Sequence, residues 1–178
     1  MNRKLGHKVS PRKKADIEAI ARNIRDKFGL TKCRINIVAL YEILQSFGLF
    51  EFEVVEDAVL GDIEAETIPS ENMIRVKRSI YDKACDGDGH CRFTMAHELG
   101  HFFLHSNQTP AAYARGQAPQ HKVYEDSEWQ ADVFASEFLI DSRYVNEDSD
   151  PYEVSILFGV SLQAAQMKIH KIKNGRMN

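Results

Sequence analysis

An α+β fold, with helices packed on one short β-sheet, is predicted here by three observations. Apolar residues recur at helical spacing on both sides of residues 50–76. Strand-like alternation and a turn-rich break are confined to that stretch. The 178-residue length suits one compact domain with a single core.

Taken in order, Ser10-Pro11 reads as an N-cap followed by proline at the first helical position. Ile17, Ile20, Ala21, Ile24 and Phe28 then follow at helical spacing, and Gly29 is the expected stop. A second helix is predicted over residues 36–47, with Ile37, Leu40, Tyr41, Leu44 and Phe47 on one side and Gly48 at its end. Residues 50–55 alternate Phe, Phe and Val with Glu, the pattern of a half-buried strand. Two further strands are predicted at 59–63 and 72–76, separated by the turn-rich Ile68-Pro69-Ser70-Glu71-Asn72. Asp86-Gly87-Asp88-Gly89 reads as a loop. A third helix is predicted over 92–105, a loop over 106–122 and a fourth helix over 125–139. Asp150-Pro151 opens a final pair of short helices with Gly159 between them.

Composition narrows the class. Apolar residues make up 43% and charged residues 28%, which excludes disordered and fibrous chains. No apolar run approaches the roughly 18 residues of a membrane span. The basic first residues lead into no hydrophobic stretch, so no secretory signal is expected. Cys33, Cys85 and Cys91 cannot all pair, and reduced thiols fit a cytoplasmic location. Charge is uneven: residues 1–34 carry eleven Lys/Arg against three Asp/Glu, whereas residues 35–163 carry eight against 23. A basic arm ahead of an acidic body can contact nucleic acid, an acidic partner or the protein's own surface. The acidic body argues against nucleic acid as the main ligand.

The chemistry lies in the third helix, where Ala96-His97-Glu98-Leu99-Gly100-His101 contains H-E-x-x-H. Histidines four apart share one helix face, so both imidazoles can reach a single ion, and the intervening glutamate can touch a water on it. Gly100 costs about 1 kcal/mol inside a helix, and makes sense where another backbone or a substrate strand passes close by. A catalytic zinc site commonly takes three protein ligands. The fourth helix contains Glu128-x-x-Ala131-Asp132, and Glu128 shares a face with Ala131, Phe134, Ala135 and Phe138. Glu128 is therefore the favoured third ligand, with Glu125, His105 and His121 as alternatives. Asp132, one turn on, can accept the outer N–H of a ligating histidine.

Arg92-Phe93-Thr94-Met95-Ala96-His97-Glu98-Leu99-Gly100-His101, followed by Glu128-x-x-Ala131-Asp132-x-Phe134-Ala135, resembles the ImmA/IrrE family of small zinc metallopeptidases. The likeness covers about residues 35–172. It includes the segment from Ile35 to Gly48, the strands before Arg92, and Val154 to Ser161. The resemblance implies a gluzincin-like, small zincin-type hydrolase fold. It also implies Zn2+ held by His97, His101 and Glu128, with Glu98 as general base. Members of the family commonly cleave helix-turn-helix repressors, releasing genes of mobile elements, phage or stress responses, so the expected partner is such a protein. Two features depart from the family pattern: Asp132 stands where Asn is frequent, and Phe138-Leu139-Ile140-Asp141 replaces a run ending in Met-Pro.

On this reading the chain comprises a basic helical arm at 1–34, a metallopeptidase core at 35–150 and a helical segment at 151–178 packed on that core. His105, Tyr113, His121 and Tyr124 are candidates for stabilising an oxyanion. Cys85 to Cys91 lacks paired C-x-x-C knuckles and reads as a loop, not a zinc site. Residues 151–173 have the pattern of a helix-turn-helix, with Gln163, Gln166, Lys168, Lys171 and Lys173 facing outward. The apolar Val160, Leu162, Ala165, Met167, Ile169 and Ile172 equally suit packing on the core. Direct DNA contact stays open, as do a metal-containing regulatory module without proteolysis and a toxin–antitoxin-associated peptidase.

Overall fold

The computed structural model describes residues 6–106 and 121–175. Helices surround a three-stranded sheet, giving the α+β class, and the order of elements positions two long helices side by side.

Helix α1 (Lys14–Lys27) buries Ile17, Ala21 and Ile24 against the helix that carries Glu128. It starts three residues later than Ser10-Pro11 suggests. The backbone before it is committed elsewhere. Val9 N–H donates to the Glu125 carbonyl (2.8 Å), and Arg12 N–H donates to that of Tyr124 (3.0 Å). Helix α2 (Ile37–Ser46) is capped by Asn36, whose Oδ1 accepts from Ala39 N–H (3.1 Å). Its Tyr41 is fully buried and donates to the Met95 carbonyl (2.7 Å).

Strand β1 (Glu51–Val55) pairs in parallel with β3 (Met73–Lys77), and β2 (Ala65–Ile68) pairs antiparallel with β3. The order β1-β3-β2 leaves Ile74 and Val76 of the central strand fully buried. The β2–β3 turn contains Pro69–Glu71 and ends at Asn72, whose φ of 50° is an αL position that Asn tolerates. The strand expected at 59–63 is instead the single-turn helix α3 (Asp57–Leu60). Only Leu60 of this stretch reaches the core, while Val59 and Ile63 stay exposed, so no alternating buried face exists to make a strand. Helix α4 (Arg78–Cys85) was not legible in the sequence, because it buries only Ile80 and Ala84.

Helix α5 (Gly89–His105) begins earlier than expected, capped by Asp88, whose Oδ1 accepts from Cys91 N–H (2.8 Å). Gly89 is required there: a Cβ would stand 2.7 Å from Ser161 N. Helix α6 (Ser127–Leu139) begins later, behind the short 3-10 turn Val123–Glu125, and is capped by Asp126. Helices α5 and α6 pack closely at Gly100, where a Cβ would meet the Ala131 Cα at 3.0 Å and its carbonyl oxygen at 3.1 Å. The neighbour that Gly100 admits is thus the α6 backbone.

After α6 the chain turns into the core. Asp141 is fully buried, lies 3.3 Å from Arg25 Nε, and caps the turn Ser142–Tyr144. Helices α7 (Pro151–Phe158) and α8 (Leu162–Gly175) follow, joined through Gly159 at φ 62°. Lys168 does not face outward as its spacing suggested. It is buried and ion-paired with Glu137, which also holds Arg22. Leu162 and Met167, by contrast, are exposed. No helix among the described residues is long and apolar enough to cross a membrane.

Candidate metal centre

Helical spacing and close helix packing together build the site. His97 and His101 lie one turn apart on α5, with Nε2 atoms 3.0 Å apart. Glu128, in the first turn of α6, places Oε2 3.2 Å from His97 Nε2 and Oε1 3.3 Å from His101 Nε2. A tetrahedral ion bound at about 2.0–2.1 Å would need ligand atoms about 3.3 Å apart, so the triangle fits a zinc-sized ion. Among the described residues this is the one group of three His, Cys, Asp or Glu side chains with convergent ligand atoms.

The surrounding charges favour a cation. Burial pulls the His97 imidazole down, but hydrogen bonds to Asp132 and Glu128 outweigh it and raise its pKa to about 10. Hydrogen bonds from His101 and His97 hold the Glu128 carboxyl far below the usual carboxylate range. A bound cation would take the place of a proton there. His97 Nδ1–H donates to Asp132 Oδ1 (2.9 Å), which directs its Nε2 at the triangle.

Glu98 is nearly buried on the neighbouring face. Its Oε2 accepts from the Thr67 hydroxyl (2.7 Å), so strand β2 reaches the site through Thr67. Sequence reasoning missed Thr67 because it placed no strand at 65–68.

The other candidates lie elsewhere. Glu125 sits in the 3-10 turn, where Oε2 accepts from Lys122 N–H (3.0 Å) and Oε1 lies 3.5 Å from Lys8 Nζ. The His121 ring is buried against Asp126, with Nε2 2.7 Å from Oδ2. His105 stands behind His101, its Nδ1 3.2 Å from that of His101, and it approaches the triangle only through that ring. Burial, followed by the charge of His101, lowers the pKa of His105 to about 4. Tyr124 is exposed beside Lys122, and Tyr113 falls outside the described residues. Cys91 is buried and Cys85 exposed, while His90 pairs with Glu64 at 3.0 Å, so the 85–91 segment assembles no ligand cluster among the described residues. Trp129 is half-buried against the core.

A helix carrying H-E-x-x-H, a carboxylate from the next long helix and a small sheet alongside are the parts of a zincin-like metallopeptidase domain. The family model of the IrrE N-terminal-like domain, Peptidase M78, matches residues 55–170, and the chain belongs to that metallopeptidase family. A search of curated proteins finds no match.

Proposed function

We propose that the chain is a zinc-dependent endopeptidase acting on a protein partner, a helix-turn-helix repressor, and so relieving repression of mobile-element or stress-response genes. The observation that carries this reading is the triangle of His97, His101 and Glu128 with Glu98 adjacent on the same helix. Three protein donors leave one position of a tetrahedral ion open, and a closed structural site has no use for a neighbouring base.

When bound, zinc would polarise the scissile carbonyl and bring the pKa of a water towards about 7. His97, His101 and Glu128 would hold the ion, and Asp132 keeps His97 in the tautomer that presents Nε2. Glu98 receives the proton of the attacking water and returns it to the leaving amine. The Thr67 hydroxyl on Oε2 fixes that carboxylate and leaves Oε1 for the transfer. Strand β2 is an edge strand, so an extended peptide can pair along it with its backbone beside Glu98. The repressor as substrate rests on the likeness to the ImmA/IrrE family, and the location proposed for this activity is the cytoplasm.

The test is incubation of the zinc-loaded chain with helix-turn-helix repressors, starting with any encoded beside its gene, read by intact mass. Two fragments with wild type and none with Glu98→Gln are expected. Intact repressors throughout, with zinc bound, would refute the substrate assignment.

A further inference from the structure

We infer that His105 is a positioning residue that decides which nitrogen His101 presents to the metal; this rests on the metal-site reading above. A chain of hydrogen bonds with fixed donor and acceptor roles runs from Ser10 to His101. Gln130 Nε2 lies 2.9 Å from the Ser10 carbonyl and 2.9 Å from the Tyr124 carbonyl. Both partners only accept, so the amide nitrogen must face them and Oε1 must face the other way. Oε1 lies 3.1 Å from His105 Nε2, and because it too only accepts, His105 Nε2 carries the hydrogen.

A neutral imidazole has one N–H, so His105 Nδ1 is left as an acceptor. It faces His101 Nδ1 at 3.2 Å, and two acceptors cannot face each other, so His101 Nδ1 donates. With Nδ1–H committed to His105, His101 Nε2 is the nitrogen left for a cation: it faces Glu128 Oε1 at 3.3 Å, and a bound ion would take the place of the proton between them. His97 is set the same way by Asp132, but through an exposed carboxylate. His101 is set by a buried neutral ring, with His105 only 6% exposed and Gln130 fully buried. The relay ends on Ser10, so the segment ahead of α1 reaches the metal-binding imidazole through three hydrogen bonds.

The experiment measures zinc affinity by chelator competition in wild type, His105→Leu and His105→Asn, with thermal unfolding of each metal-free chain as a control. Asn places its Oδ1 near the site of the lost Nδ1 and can accept from His101, whereas Leu fills the space without an acceptor. Leu is expected to weaken zinc binding about ten- to hundred-fold, and Asn to recover most of that loss. Nitrogen NMR of zinc-loaded wild type supplies a readout that needs no variant: His101 should be metallated at Nε2 and protonated at Nδ1. Wild-type affinity in His105→Leu, or a His101 metallated at Nδ1, would overturn the relay alone. A wild-type chain that takes up no zinc would overturn the metal-site reading and the relay with it.

Discussion

Gly100 and Ala131 set the spacing between the two helices that supply the site. A Cβ on Gly100 would stand 3.0 Å from the Ala131 Cα, with the carbonyl oxygen at 3.1 Å and Phe134 Cδ1 at 3.2 Å. Two of the three obstacles are backbone atoms, which cannot turn aside. His101 follows Gly100 directly and Glu128 lies one turn before Ala131, so the contact that brings the helices together also brings together the converging nitrogen and oxygen atoms of His97, His101 and Glu128.

Gly100→Ala should therefore destabilise the protein despite better helix propensity. The gain of about 1 kcal/mol from removing a mid-helix glycine is outweighed by about 1–3 kcal/mol of overpacking. Denaturant unfolding should show a net loss, and zinc affinity should fall with it. A stabilised variant with full affinity would show that the helices have room to part.

Glu98→Gln should keep zinc and lose hydrolysis by about 10²-fold or more, since it removes a proton acceptor without removing a ligand. Elemental analysis and repressor cleavage, run on the same preparation, separate the two. Retained cleavage would remove Glu98 from its role.

Asp132→Ala should weaken zinc binding about ten- to hundred-fold, because His97 loses the partner that holds its Nδ1–H. Chelation of wild type should lower its unfolding temperature, and the shift should shrink in this variant. An unchanged chelation shift would show that Asp132 is a bystander.

Acid stability should depend on Glu137. Burial works against its charge, but Lys168, Arg22 and Ser142 outweigh it and hold the carboxyl below its usual range. A depressed carboxyl stabilises the fold above its unfolded pKa of about 4.3, and the stability is lost as pH falls through the lower folded value. The part of the unfolding free energy that Glu137 contributes should thus be level near neutrality and fall below about pH 4. Lys168→Met leaves a buried charge with Arg22 as its remaining cation, and should cost about 3 kcal/mol. It should also move the acid limb to higher pH. An unaltered limb would mean that Glu137 is not the titrating group.

The helices that bring His97, His101 and Glu128 together were legible because their signals are local. H-E-x-x-H places two histidines on one face by spacing alone, and Glu128 announces itself as a carboxylate on an apolar face. Non-local contacts were not legible. Thr67 reaches Glu98 from a strand that exists only because β3 lies beside it, and the Gln130 amide is fixed by carbonyls at Ser10 and Tyr124. Lys168 looked solvent-facing because its partner, Glu137, is 31 residues away on another helix. Ser10-Pro11 carried a good helix-start signal, but pairing of residues 8–12 with 124–126 overrode it.

The most direct test of the three-residue zinc site is the metal content of the purified chain, prepared without chelator, beside Glu128→Gln. The expected result is about one zinc per wild-type chain, bound at least about ten-fold more weakly in the variant. A wild-type chain that holds no zinc, even after zinc is added back, would contradict it.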